Sequence, residues 1–184
     1  DVLETEEGAV LKRAIGEALP ALPKLQAKLG DARLFRTVTP TDVFLWRTYD
    51  DWGRAAAAKV IEAIRGRGQQ IRAQAVLSPA FRDAPAACRR MERDVLLKAV
   101  QDHARDIVKE HKGNVDQWVV LHGMLGASEI YDVAGVDCLI QVFQIAQKAD
   151  PAAALLVSDA EALLLPGDGR VEELIEFVTW LKTE

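Results

Sequence analysis

The stretch Asn114–Met124, NVDQWVVLHGM, decides how the rest of the chain is read. After Gln117 come four apolar residues, Trp118–Leu121, and the run stops abruptly at His122-Gly123. A short continuous apolar run with a glycine at its end reads as a strand buried on both faces. Such strands belong to parallel sheets covered by helices.

Working outward, the chain alternates. Before this strand, Met91–His111 carries Leu97, Val100, Ala104 and Ile107 at helical spacing and is stopped by Lys112-Gly113. His103 and His111 are expected on a solvated face of that helix or at its end. After the strand, Val136–Lys148 repeats the helical pattern with Leu139, Val142, Phe143 and Ala146, stopped by Asp150-Pro151. Ala153–Val157 reads as a short buried strand, Gly167-Asp168-Gly169 as a loop, and Val171–Leu181 as a last helix. Upstream, Gln70–Leu77 is a strand preceded by an alanine-rich helix, Arg54–Arg65, that runs into Gly66-Arg67-Gly68. Leu34–Thr39 is β-prone and is followed by Pro40, with Val43–Trp46 continuing the apolar character. Glu6 to about Leu29 is helical in pattern, interrupted by Pro20 and Pro23 and closed by Gly30.

Four strands of this kind, alternating with helices, predict an α/β fold with a parallel sheet. The 184 residues, 49% hydrophobic, suit one sizeable core. We expect a single α/β domain over 1–184, with 1–30 a helical lead-in and 31–184 the repeating βα units. A closed eight-stranded barrel takes about 250 residues. The expectation is therefore a small open sheet or part of a (β/α)8 barrel.

Composition excludes several functions. A net charge of −5 with acids and bases interspersed gives no one-signed field for nucleic acid or an anionic membrane. The basic pairs Arg65 with Arg67 and Arg89 with Arg90 read as solvated surface. No run approaches the roughly 18 apolar residues that span a bilayer. Cys88 and Cys138 are too few for a disulfide framework and lack zinc or redox spacing, and Cys138 reads as a buried thiol. Gly167–Arg170, GDGR, lacks the spacing and Lys/Ser partners of a phosphate loop, and neither Ser78 nor Ser128 sits in a G-x-S-x-G elbow. No cofactor or metal is expected. The chain opens at Asp1 without methionine, as a processed or excised chain does, and leaves the compartment unknown.

Four segments, in order and in spacing, resemble the β-1,4-xylanases of glycoside hydrolase family 10. Phe35–Trp46, FRTVTPTDVFLW, resembles the family's F-N-x-V-T-P-E-N-E-M-K-W, and Gly68–Leu77, GQQIRAQAVL, its G-x-x-V-R-G-H-T-L-V. Gly113–Gly123, GNVDQWVVLHG, resembles G-x-I-x-x-W-D-V-V-N-E, and Ala149–Glu161, ADPAAALLVSDAE, resembles A-D-P-x-A-x-L-Y-x-N-D-Y-N. The resemblance implies strands two to five of a (β/α)8 barrel, with Ala14–Ala18 similar to the first strand and the last three strands following Glu184. It also implies a secreted or periplasmic location. Residues shared with the pattern are mainly structural: Val38, Thr39, Pro40, Trp46, Arg72, Trp118, Asp150, Pro151 and Asp159. Those that would meet sugar or do chemistry are mostly replaced. Asp42 stands for Asn, Val43 for Glu, Leu45 for Lys, Gln74 for His, Ser78 for Trp and His122 for Asn, and Gly123 occupies the acid/base glutamate position.

Retaining glycoside hydrolysis needs two carboxyl groups about 5–5.5 Å apart, one to protonate the leaving oxygen and one to attack. Glycine has no proton to give, and the resemblance places the family's nucleophile on one of the later strands expected after Glu184. We therefore expect no catalytic residue. The candidate ligand-contacting rim is Trp46, His122, Asp159, Asp42 and Gln74, with an oligosaccharide or polysaccharide as candidate ligand. Glu129 and Asp132 read as helix-start acids, Asp159 as a rim residue that caps a loop, and His122 as a hydrogen-bonded rim histidine. Trp46, Trp52 and Trp118 read as packing residues before sugar platforms. Three functions compete: an inactive relative of the xylanase barrel kept for scaffolding, binding or assembly; a divergent glycosidase with relocated carboxylates; and an assembly module whose two open sheet edges are covered by a second copy or a partner chain.

Overall fold

The structure, a computed structural model, describes residues 35–159 and 169–183. The expected lead-in helix, Ala14–Ala18 and Glu161 lie outside the described residues. Within them, four strands form one parallel sheet in the order β1-β2-β3-β4: Thr37–Val38, Gln70–Leu77, Gln117–His122 and Ala154–Ser158. Helices alternate with them. These are α1 (Arg54–Arg65), α2 (Arg93–Glu110), the short α3 (Glu129–Ala134), α4 (Asp137–Ala149) and α5 (Arg170–Thr183). The α/β expectation holds, with β2 and α1 at their expected bounds.

The first strand is shorter than expected. Only Thr37 and Val38 pair, with Gln70 and Ile71. Phe35 is exposed, and Pro40 has no N–H to extend the ladder. The apolar residues beyond it, Val43 and Phe44, belong to a 3₁₀ turn over Asp42–Phe44. One helical turn at Trp46–Thr48 and a π-helical turn at Tyr49–Gly53 then lead into α1. Gly53 permits that crossover, because a Cβ there would stand 2.4 Å from the carbonyl oxygen of Val43.

Alternation along the strands sorts the sheet into two faces. Ile71, Ala73, Trp118 and Val120 are buried in the core. Trp118 is fully buried and meets Phe44 edge-on at 5.8 Å. The other face carries half-buried polar residues, Arg72, Gln74 and Gln117, with Arg72 Nε donating to Gln117 Oε1 at 2.7 Å. Register shifts between Gln74 and Leu77 and between Val119 and Leu121 change the alternation toward the C-terminal strand ends.

Two histidines overturn the sequence reading. His103 and His111, expected in solvent, are buried. His103 shares the α2 face of Val100, Ala104 and Ile107, and that face turns its imidazole inward. His103 stacks on Trp46 at 4.7 Å and meets Tyr49 edge-on. His111, just past the helix, lies edge-on to Phe44 and Tyr49, with its Nε2 3.1 Å from the Tyr49 hydroxyl. That hydroxyl donates to Glu110 Oε2 at 3.0 Å, and Arg54 pairs with the same carboxylate. Both cysteines are buried free thiols. Burial pushes Cys138 up to about 11 and Cys88 upward, so neither is an activated nucleophile.

Candidate functional site

Parallel strands end at one rim, and loops fix the shape of that rim. After β2, Ser78 Oγ donates to Asp83 Oδ2 at 2.7 Å and folds the chain into a 3₁₀ turn, Phe81–Asp83. That loop is tied to the one after β3. Phe81 N–H donates to Glu129 Oε2 (2.9 Å), and Ile130 N–H donates to the Pro79 carbonyl (2.9 Å). The β3 loop is held in turn from β4, since Leu125 N–H donates to Asp159 Oδ2 at 2.8 Å and Gly123 N–H to the Ser158 carbonyl at 2.9 Å. Together they enclose a pocket of about 130 Å³ lined by Ser78, Arg82, Asp83, His122, Gly123 and Asp159, among others.

A polar row crosses the strand ends beside this pocket. His122 Nδ1 lies 2.8 Å from Ser158 Oγ, its register partner on β4, and His122 Nε2 lies 3.4 Å from the Gln74 amide nitrogen. With Gln74 donating to Nε2, the ring proton sits on Nδ1 and is given to Ser158. Both nitrogens of a neutral imidazole are then engaged. Such a row offers hydroxyl, amide and imidazole groups to a polyhydroxylated ligand. It supplies no paired acid and base of the kind glycoside cleavage uses.

The structure thus brings together Gln74 and His122, with Asp159 lining the adjoining pocket. Asp42 and Trp46 are not among that pocket's lining residues. Asp42 is exposed in its 3₁₀ turn, where its carbonyl accepts from Thr48 Oγ1. Trp46 is buried, donates its indole N–H to Asp50 Oδ2 at 2.9 Å, and lines a separate cavity with Arg54, Cys88 and His103. Ser158, which the sequence reading passed over for its neighbour Asp159, completes the row. A signal existed, because Ser158 is the polar residue that ends an otherwise apolar strand. Glu129 and Asp132 fall in the first turn of α3 as expected, with Asp132 Oδ2 accepting from Ser128 Oγ at 2.7 Å. Among the described residues no group of three or more His, Cys, Asp or Glu side chains could hold a metal ion, and no helix is long and apolar enough to cross a membrane.

Gly123 is the pivot of the rim. Its φ of +73° is a left-handed conformation, and a Cβ built there would meet nothing within 4 Å. The strain of any side chain at this position is therefore confined to the backbone. Gly123→Ala is expected to lower the unfolding free energy by about 1–2 kcal/mol. The check is the urea midpoint at unchanged slope.

Comparison with known proteins bears on this arrangement. No protein-family model matches the chain. Endo-1,4-beta-xylanase 2 of Claviceps purpurea is 28% identical over 94 residues, covering 48% of this chain and 29% of that protein. Among solved structures, a GH10 endoxylanase retrieved from a sugarcane soil metagenome superposes with a TM-score of 0.70 at 20% identity, covering 99% of this chain and 51% of the other. Xylanase 10B from Thermotoga petrophila RKU-1, in complex with xylobiose, gives 0.72 at 20% identity, covering 82% of this chain and 49% of the other. The fold is therefore that of a partial, divergent family 10 xylanase barrel. This chain spans about half the length of these solved relatives.

Proposed function

We propose that this partial xylanase barrel is a catalytically inactive domain that binds an oligosaccharide or polysaccharide at its rim and serves scaffolding or assembly. The observation that carries the reading is Gly123. At the end of β3, where the resembled family places its proton donor, the backbone is left-handed and no side chain is present. The acids around it are engaged in fixing loops: Asp83 by Ser78, Asp159 by Leu125, Glu129 by Phe81. A xylobiose complex of a protein with this fold supports a sugar as ligand. The row Gln74–His122–Ser158 supplies hydrogen-bonding groups suited to sugar hydroxyls.

Two measurements test this. Incubation with xylan or an aryl xyloside at high protein concentration is expected to release no sugar above the buffer control. Turnover that disappears in Asp159→Ala would overturn the inactive reading. Titration with xylobiose is expected to shift the amide resonances of Gln74, His122 and Gly123, with saturation at millimolar ligand or below. A flat titration would remove the sugar-binding half of the proposal.

A further inference from the structure

Another concavity among the described residues lies away from the rim. A groove of about 560 Å³ between the C-terminal halves of α2 and α4 is lined by Arg105, Lys109, Lys112, Lys148, Ile145 and Ala149. These helix ends lead into the starts of β3 and β4, so the groove opens at the opposite end of the sheet from His122. In a chain of net charge −5, four cations with no acid among the lining residues are a local reversal of sign. The charges on α2 are segregated. Asp102 and Asp106 line the cavity shared with Trp46 and His103, while Lys109 lines this groove.

Arg105 is bound to Asp102 at 2.7 Å. The side-chain ammonium groups of Lys109, Lys112 and Lys148 have no ion pair or hydrogen-bond partner among the described residues. Lys109 and Lys148 stand in the last turns of their helices, where a cation complements the carbonyl ends. That explains the place of each on its own helix. It does not explain Lys112, which lies beyond α2, or the meeting of all three around the apolar floor of Ile145 and Ala149. Adjoining this groove, a second concavity of about 300 Å³ is lined by Gln101, Gln141 and Gln144, with Gln101 Nε2 donating to Gln141 Oε1 at 2.7 Å. The two share Arg105, Ile145 and Lys148, which gives a longer trough with amides at one end and ammonium groups at the other.

We propose that this groove binds a small polyanion: two or more carboxylate or phosphate groups on a body with an apolar face. The anionic groups meet Lys109, Lys112 and Lys148, and the body lies on Ile145 and Ala149. The volume suits a ligand of that size. The site is separate from the rim and does not depend on the sugar-binding reading.

The test is titration of the whole chain with trigalacturonate, which carries carboxylates on sugar rings, and with inorganic pyrophosphate, which carries charge without an apolar face. Neutral xylotriose is the control. We expect trigalacturonate to shift the Ile145 and Ala149 methyl resonances. Its affinity should fall about tenfold in the double variant Lys112→Gln, Lys148→Gln, as loss of two exposed ion pairs gives. It should also weaken from about 50 to about 200 mM salt, because exposed charges are screened. Pyrophosphate binding at the same residues with the same losses would support the site and assign it to phosphate. Silence of both methyl groups with either polyanion at millimolar concentration would overturn the proposal. So would undiminished binding to the double variant, or xylotriose binding there as tightly as trigalacturonate. Both lysines are exposed, so the variants are expected to fold as the parent does.

Discussion

Lowering the pH from about 6.5 to about 3 is expected to remove up to about 1.4 kcal/mol of stability per pH unit through His103 alone. The cause is burial. Desolvation pushes the imidazole down to about 3; the nearby Arg54 adds to that and the Val76 backbone partly opposes it. Asp50 Oδ1 stands 3.9 Å from Nδ1, outside hydrogen-bond range, and Asp50 Oδ2 already accepts the Trp46 indole. In the unfolded chain the ring takes up a proton near its ordinary value of 6.5, whereas in the folded chain it stays neutral until about pH 3. Over that window the unfolded state binds more protons, so stability falls as acid is added and is at its full value above pH 6.5. Integrated, the effect is on the order of 5 kcal/mol, a large share of the 5–15 kcal/mol that holds a typical domain together. His111, also lowered by burial, adds to it. Urea unfolding at a series of pH values gives the slope. His103→Leu should flatten it by about one proton, and an unchanged slope in that variant would show that other groups carry the acid sensitivity.

Trp118→Ala is expected to cost about 3–5 kcal/mol. The side chain is fully buried at the centre of β3, and its removal leaves Phe44 facing a void that fixed strands on either side cannot close. Its indole N–H has no hydrogen-bond partner among the described residues, so the ring contributes through packing alone. That distinguishes the two truncations. Trp118→Phe keeps most of the packing and removes an unsatisfied donor, and should cost less than about 1.5 kcal/mol. Equal losses in the two variants would mean that the indole nitrogen has a role that packing does not explain.

These two residues also show what could be read from the sequence. Trp118 declared itself, because an aromatic residue inside a continuous apolar run has only a core to occupy. His103 did not. Its polarity argued for solvent while its helical spacing from Val100 and Ile107 argued for the core, and the core won because Trp46 offered a flat partner for the ring. The rim is a similar mixture. That β2 and β3 end near one another follows from parallel alternation. That Gln74 meets His122, and His122 meets Ser158, depends on register and on the shifts within the ladders, which no local pattern encodes. Trp46 lies apart from the Gln74–His122–Ser158 row for the opposite reason. The single helical turn that carries it follows a 3₁₀ turn, and together they point the indole into the helix layer.

On β4, Leu155 to Ser158 are all half-buried, whereas Trp118 to Leu121 on β3 are fully enclosed. Among the described residues no strand pairs with the outer side of β4. Any strand that joins there in parallel extends the same rim and brings its own last residues beside Ser158 and His122. In such an assembly the rim would be wider by one strand end, with polar groups of the added strand set beside those of this chain.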